Sequence, residues 1–393
     1  MSRYNLVPVT NEEESKEFIQ LTKTLYKGVK NYVQPIDDDI AHVFDPAKNE
    51  FFKHGECTRW ILQDAQGKTV GRVAAFIDRN ILDVYGQPTG GMGFFECIND
   101  QDAAFRLFDA CKEWLQVRNI EAMDGPVNFG PRLQWWGLHT EGDQRPVYGM
   151  FYHHSYYKTF FEDYGFQVFF KQFNYRTELC EKSLNRIVLL KAKRVYRDKK
   201  FHTEFFDKKN IDKYIQDFTT VYNNTWVGEI PGVEEMTVEE VRETFEAMKP
   251  LLEERYVIFA YYDNKPVGFF VMVPDANEII KHVNGKFNLK AKLYFLWYKY
   301  FQRDKTVIGQ IFGVDRAFQG RGVEAILIEK FSQVIFTGKE KYKYLEFNWI
   351  GDFNPRMQHM MEEHLNAKIY KTYITYRYLF DRTKEFKRAE ILK

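Results

Sequence analysis

The stretch with the clearest chemical potential is QGRGVE, residues 319–324. Its glycines, Gly320 and Gly322, follow an apolar strand candidate and precede an apolar helix candidate. The first turn of a helix leaves backbone N–H groups unpaired and carries partial positive charge. Glycines at that point let an anion approach the backbone closely. The pattern therefore predicts an anion site, for which a diphosphate is the natural ligand.

Two common phosphate motifs do not match this stretch. No Lys-Ser or Lys-Thr pair follows the glycines, as a Walker loop requires, and the third glycine of a dinucleotide fingerprint is missing. Glu324 suits the helix dipole and can cap free N–H groups, but its charge would repel a nearby diphosphate. A diphosphate site therefore requires Glu324 to be paired, with Arg316 or Arg321 as candidates. A helix start that caps itself is the alternative.

The composition limits the class of protein. A chain of 393 residues with 45% apolar residues predicts two domains with proper cores, and a net charge of +1 gives no sign of a nucleic-acid partner. The four cysteines fit neither a zinc site nor a disulfide scaffold, no signal core begins the chain, and no run is long enough for a membrane span. A cytoplasmic protein without a metal is the expectation. The short aromatic and basic segment 292–303 is expected to pack on its own domain, with contact to lipid or an acyl chain as the alternative.

The order of predicted elements repeats. Each half reads as strand, helix, hairpin, strand, helix, strand, helix and strand, with an added helical insertion in the second half. We therefore predict an α+β fold with two tandem copies, each a mixed central sheet flanked by helices. The predicted boundaries are 1–180 for the first domain, 181–200 for a basic connecting helix and 201–393 for the second domain.

The glycine stretch and its flanking elements resemble motif A of the GCN5-related N-acetyltransferases, the GNAT superfamily. Gln319 and Gly322 take the first two motif positions. The resemblance implies that backbone amides of residues 319–324 hold the pyrophosphate of coenzyme A. It also implies a bulge in the preceding strand, which opens a gap for pantetheine. The cofactor-binding residues so implied are Phe312, Gly313, Val314, Gln319, Gly320, Arg321, Gly322, Val323, Glu324 and Asn354.

Two residues depart from the family pattern. Glu324 stands where the family has Gly or Ala. In the last predicted helix, Met361 or Glu362 stands where the family often has a tyrosine that protonates the departing thiolate. The first half has no glycine in ECINDQD, residues 96–102, so its copy of the fold is expected to bind no coenzyme A.

A long loop in the first half collects polar and aromatic residues, which in long loops are often functional. It covers residues 125–166, and its pattern GPxNF…WGL…EG…P…YY…GF resembles a bacterial group of uncharacterised acyltransferase-like proteins. A pocket for the acceptor is predicted here, with a loop that only packs on its own domain as the alternative. The predicted pocket residues are Asn128, Arg132, Trp136, Tyr156 and Tyr157.

The general base is left open. Asp275 ends a hairpin strand, while Glu346 and Asn348 occupy alternate positions of a later strand, so all three are candidates. Attack on a thioester needs only a deprotonated and well-placed amine, so a side-chain base is not a requirement.

The resemblance implies transfer of an acyl group from acetyl-CoA or another acyl-CoA to an amine-bearing acceptor. Two other functions stay open. One is an aminoacyl transferase similar to the Fem-type enzymes, which take their donor from tRNA. The other is a small-molecule binding protein without catalysis, favoured by Glu324 and by the missing tyrosine.

Overall fold

The computed structural model describes residues 3–83, 86–229, 233–301, 306–336 and 342–392, so the last residues of the predicted insertion, 302–303, lie outside it. The described strands are β1 (Tyr4–Pro8), β2 (Gly55–Asp64), β3 (Thr69–Asp78), β4 (Thr89–Cys97), β5 (Ala122–Gly125), β6 (Leu138–Glu141), β7 (Gln167–Glu178), β8 (Phe201–Phe205), β9 (Val257–Tyr262), β10 (Lys265–Pro274), β11 (Thr306–Val314), β12 (Tyr344–Gly351) and β13 (Lys368–Leu379). The described α-helices are α1 (Glu12–Leu25), α2 (Asp37–Val43), α3 (Gln101–Gln116), α4 (Tyr156–Tyr164), α5 (Arg186–Val195), α6 (Ile211–Trp226), α7 (Val238–Met248), α8 (Asn277–Ile280), α9 (Leu289–Phe301), α10 (Val323–Ile335) and α11 (Pro355–His359).

Local sequence signals account for several helix ends. The side chain of Thr237 accepts a hydrogen bond from the Glu240 N–H, and the Glu240 carboxylate accepts one from the Thr237 N–H. This capping box begins α7. Gly165 ends α4 with a φ of 104°, a left-handed conformation that favours glycine.

The strands form one mixed sheet, and the predicted α+β class is confirmed. The strand order is β1-β2-β3-β4-β5-β13-β7-β12-β11-β10-β9-β8, and β6 pairs with β13. The two parallel pairs among the described strands are β4 with β5 and β11 with β12. Each half therefore has the same arrangement, running inward from β1 and from β8.

The two halves exchange their closing strands. β13, at the end of the chain, pairs with β5 of the first half, and β7 of the first half pairs with β12 of the second. β7 and β13 pair with each other in the middle of the sheet. The boundaries at residues 180 and 200 stay a prediction, but a continuous ladder of hydrogen bonds joins the halves.

Helices cover the sheet on both faces. In the second half, one apolar cluster packs α5 and α10 against the sheet, through Val188 and Ala192 of α5 among others. On the opposite face, α6 and α7 pack in a cluster that also contains Val147 and Met150 from the long loop of the first half. That loop is thereby fixed against the second half. Among the described helices, none is both long and apolar enough to cross a lipid bilayer.

Candidate functional site

The strands β11 and β12 separate partway along their length. Their parallel pairing runs from Thr306 with Tyr344 to Gly309 with Phe347 and ends there. Beyond that point Gln310 is an extra residue in β11, because Gly309 and Ile311 pair with consecutive residues of β10. A β-bulge of this kind bends its strand. The bulge and gap implied by the resemblance are therefore present before the glycine loop.

The glycine loop presents unpaired backbone donors. Gly320 and Gly322 have φ values of +74° and +87°, which glycine adopts without strain. The Arg321 N–H donates to the Phe318 carbonyl. Within the described part of the chain, no hydrogen bond engages the N–H groups that remain, which belong to Gly320, Gly322, Val323 and Glu324. Such a set of N–H groups at a helix start is suited to an anion.

Helix α5 lies beside this loop. The Lys191 ammonium forms an ion pair with the Glu324 carboxylate. A Cβ atom at position 322 would lie 2.6 Å from Val195 Cγ2, so the contact with α5 also requires glycine there. Glu324 is therefore paired, as an anion site needs. Its partner is Lys191 of the basic connecting helix, rather than Arg316 or Arg321.

The arginines suggested as partners of Glu324 are engaged elsewhere. Arg316 pairs with Glu229 at 3.1 Å. The Arg321 guanidinium lies over the rings of Phe318 and Tyr262, at 4.7 and 5.0 Å from their centroids. Asn354 caps α11 by accepting a hydrogen bond from the Met357 N–H. Phe312 and Val314 are half-buried at the bent end of β11.

The first half has the same strand separation, but the chain itself fills it. β4 and β5 pair only over Thr89–Gly91 and Ala122–Asp124. The Val127 N–H then donates to the Met92 carbonyl at 2.8 Å. At the following helix start, the Asp100 side chain accepts from the Ala103 N–H. Neither the gap nor the start of α3 resembles the unpaired loop of the second half.

The candidate base Glu346 is already neutralised. Its carboxylate is 1% exposed and pairs with Lys371, and with Arg176 at 3.4 Å. Burial lowers the pKa of Lys371, and the Glu346 charge opposes that shift. Asn348 lies half-buried in β12, where its side-chain oxygen accepts from the Asn174 amide at 3.2 Å.

Asp275 is also fully engaged. It pairs with Arg145 at 2.9 Å and accepts from the N–H groups of Tyr148 and Asn277. Burial raises the pKa of Asp275, and the Arg145 charge opposes that shift. Arg145 also pairs with Glu278 at 2.8 Å. This arrangement fixes the long loop to the second half. The role of base remains a prediction for all three candidates.

The structure divides the predicted acceptor pocket into two places. Arg132 lies over the Trp136 ring at 5.5 Å, and its carbonyl accepts from the Trp349 indole N–H of β12 at 3.0 Å. Asn128, which is close to Arg132 in sequence, is buried. Its Oδ1 has no hydrogen-bond partner among the described residues. Tyr156 and Tyr157 instead lie in the first half, where both hydroxyls donate to the Cys97 carbonyl.

Two small cavities lie between the long loop and residues 33–35. They share Val33, Pro35, Trp135 and Met150 as lining residues. The larger, about 20 Å³, reaches Arg72 and Glu96, and the other, about 10 Å³, reaches Tyr148 and Asn277. No residue of the glycine loop lines either one. Trp135, rather than the predicted Trp136, faces these cavities.

Glu96 is a buried carboxylate that was not predicted as a site residue from the sequence. It accepts hydrogen bonds from the hydroxyls of Tyr26 at 2.7 Å and Tyr157 at 2.9 Å, and Arg72 lies 3.9 Å away. Burial raises the pKa of Glu96 to about 7, and Arg72 opposes this shift. The available signal was a lone acidic residue within the apolar run GGMGFFECI, residues 90–98.

The last helix ends in a single π-helical turn, Met360–His364. Met361 is buried, and the Glu362 carboxylate accepts from the Tyr175 hydroxyl at 2.9 Å. Tyr175 lies on β7 opposite Phe347, the residue at which the gap begins. Burial, followed by Glu362, raises the pKa of Tyr175. A phenol is therefore present at the helix that lacks the family's tyrosine, but it comes from the first half of the chain.

Among the described residues, no three His, Cys, Asp or Glu side chains converge as a set of metal ligands.

The architecture is that of a tandem GNAT fold, as the resemblance predicted. It aligns with a tandem GNAT protein from the clavulanic acid biosynthesis pathway, over 96% of this chain and 98% of that one, with a TM-score of 0.56 and 10% identity. It also aligns with the GCN5-related glucosamine N-acetyltransferase region of a fungal multi-domain GH3 β-N-acetylglucosaminidase, over 96% of this chain and 38% of that one (TM-score 0.55, 13% identity). At these identities the likeness shows the fold.

Similar sequences cover both halves. The chain is 26% identical over 388 residues to the bacterial ceramide synthase of Caulobacter vibrioides, covering 95% of this chain and 96% of that protein. It is 25% identical over 377 residues to protein YghO of Escherichia coli K12, covering 93% of each. No family model matches the sequence.

Proposed function

We propose that the protein is an N-acyltransferase that moves an acyl group from acyl-CoA to an amine. The observation that carries this proposal is the gap beyond Gly309, which leads to a loop with unpaired N–H groups. The diphosphate would lie on the unpaired N–H groups of Gly320, Gly322, Val323 and Glu324. The pantetheine would pair with the free edge of β11, at residues 310–314.

The two halves have different roles in this proposal. The second half binds the donor, because no hydrogen bond among the described residues engages the N–H groups of residues 320 and 322–324 in its glycine loop. In the first half, the Val127 N–H donates to the Met92 carbonyl at the gap, and the Asp100 side chain accepts from the Ala103 N–H at the helix start. The long loop of the first half, held by Arg145 on Asp275, supplies the acceptor side.

The reaction has a simple balance. The amine nitrogen attacks the thioester carbonyl carbon, the new C–N bond forms, and the C–S bond breaks. The nitrogen loses one proton, and the leaving thiolate gains one. Glu346 and Asp275 are paired with cations, so neither carboxylate acts as the base. Instead, the site would place an amine that is already neutral against the thioester. Tyr175 is the candidate that returns the proton to sulfur.

We propose a long-chain amino alcohol as the acceptor. Ceramides are amides of such amines, and a relative with near-complete coverage of both chains carries the name ceramide synthase. The two cavities around Trp135 measure about 20 and 10 Å³, far less than a hydrocarbon chain needs, so this acceptor is proposed from the relative's name alone. A corresponding long acyl group on the donor is part of this proposal.

The test begins with binding. Calorimetry with free CoA, acetyl-CoA and a long-chain acyl-CoA is expected to show binding of all three by the full chain. Thiol release is then followed with sphinganine and, as a small control amine, ethanolamine. Release that requires both acyl-CoA and sphinganine supports the proposal.

Other outcomes point to the alternatives. Absence of CoA binding would overturn the donor assignment. CoA binding without thiol release from acyl-CoA in the presence of long-chain amines would indicate a binding protein. Tight binding of tRNA that collapses with salt would favour the aminoacyl transferase. As a check on the proton donor, Tyr175→Phe is expected to lower kcat about 10²-fold or more with little change in KM.

A further inference from the structure

Helix α9 places large apolar side chains in water. Leu289 is 74% exposed and Leu293 60% exposed, and the patch continues through three more exposed side chains. We call this set the α9 patch, and it consists of Phe287, Leu289, Leu293, Leu296 and Trp297. Single exposed apolar residues are ordinary, but a contiguous group of them marks an interaction surface.

The described contacts hold α9 by its other side. Ala291 is buried, and the Tyr294 ring lies 5.1 Å from the His282 ring, which follows α8. Tyr294 therefore packs toward its own domain, as expected for segment 292–303, while Leu293 and Leu296 are largely exposed. What the exposed side of α9 can bind therefore depends on the side chains that it presents.

The charged residues of the segment that carries the patch are all basic. Residues 286–303 contain Lys286, Lys290, Lys292, Lys299 and Arg303, and no acidic residue. Of the described side chains in this set, Lys286 and Lys292 are exposed beside the patch. Aromatic residues are also abundant in the segment, and aromatic and basic residues together are characteristic of the membrane interface.

We propose that α9 and Phe287 lie in the interface of an anionic phospholipid membrane. The apolar side chains would enter the boundary between headgroups and acyl chains, while the lysines meet the negative surface. With 13 residues, the helix is shorter than the roughly 20 that span a bilayer, so it would lie along the surface. This inference goes beyond acyl transfer and does not depend on it.

The experiment is flotation of the full chain with phosphatidylcholine vesicles, with or without phosphatidylglycerol. No acyl-CoA or amine is present, so the result is independent of the proposed reaction. The chain is expected to float with the anionic vesicles, less so in high salt. Leu293→Ser combined with Trp297→Ser should weaken this partition at least about tenfold, because two apolar side chains no longer enter the interface.

The matched control is Ile187→Ser combined with Leu190→Ser. These residues are also exposed, on the basic helix α5. The control is expected to float like the wild type, and unchanged melting temperatures show that both variants are folded. Equal flotation of the α9 variant and the wild type would overturn the proposal, as would equal loss in the control or no preference for anionic vesicles. A concentration-dependent dimer lost in the α9 variant, without flotation of the wild type, would assign the patch to a second copy of the chain.

Discussion

Glu324 and Lys191 set the charge that a diphosphate would meet at the glycine loop. The Glu324 carboxylate is mostly buried and pairs with Lys191, which is partly exposed. The pair removes much of the repulsion that the carboxylate alone would exert. Glu324 thus has its own counter-ion, which is supplied by α5, the helix between the halves.

Glu324→Ala is expected to tighten CoA binding by up to about tenfold, most at low salt, because a negative charge is lost and Lys191 is released. Lys191→Ala should weaken binding, since it leaves Glu324 unpaired. Calorimetry at two salt concentrations measures both. If the loop only caps its own helix, the Glu324→Ala variant is expected to bind no CoA. Its free energy of unfolding should then fall by several tenths to about 1 kcal/mol. A loss of existing affinity would mean that Glu324 contacts the ligand.

Glu96 gives the protein a pH-dependent stability. Its pKa rises from 4.5 to about 7 on folding because it is buried. Between these values the folded state keeps a proton that the unfolded chain releases, so this group stabilises less as pH rises toward 7. The full effect corresponds to roughly 3 kcal/mol. His139 acts oppositely, since burial lowers its pKa to about 4 and stability falls as pH drops below 6.5.

Comparison with Glu96→Gln isolates the first effect. The stability of the variant relative to the wild type is expected to increase between pH 4.5 and above 7, by up to about 3 kcal/mol. Urea unfolding at several pH values measures it, and His139 contributes equally to both proteins. A difference that does not vary with pH would show that Glu96 ionises normally.

The long loop is an element whose position depends on Arg145. Its guanidinium reaches from the first half to Asp275 and Glu278 of the second. Arg145→Met should cost about 3–5 kcal/mol, because Asp275 is left buried and unpaired. Adding Asp275→Asn should recover part of the loss, since the uncompensated charge is removed. Urea unfolding of the single and double variants forms the cycle, and additive costs would argue against coupling.

The exchange of β7 and β13 affects how the halves can be studied. A fragment ending at residue 180 lacks β13, which lies between β5 and β7 in the sheet. Its β5 would have a free edge, so the test of each half belongs in the full chain. The sheet also gives a reason to expect that both halves unfold together.

The difference between the halves predicts the stoichiometry of donor binding. Among the described residues, the glycine loop of the second half has unpaired N–H groups, while in the first half the Val127 N–H bonds to Met92 and Asp100 accepts from the Ala103 N–H. Calorimetry of the full chain is therefore expected to give one CoA per chain. Two sites of similar affinity would contradict the assignment, and one site that survives disruption of the glycine loop would reverse it.

Local interactions made much of the fold predictable. The capping box of α7, the glycine that ends α4, the hairpins and the α+β class follow from contacts between residues close in sequence. The glycine loop was predicted in the same way, because a helix start and its N–H groups are local features. The order of the main strands and helices therefore follows from the amino-acid sequence by itself, whereas α2 and β6 were not predicted.

Partners distant in sequence were decided by the tertiary structure. Lys191 and Glu324 are 133 residues apart, and Tyr175 and Glu362 are 187 apart. The exchange of β7 and β13 could not be predicted, because the alternating side-chain pattern of a strand does not determine which other strand it pairs with. The exposure of α9 could not be predicted for a related reason. An apolar helix has the same sequence pattern whether it packs against a core or faces water. Local sequence sets what each segment can form, and only packing of the whole chain selects its partners.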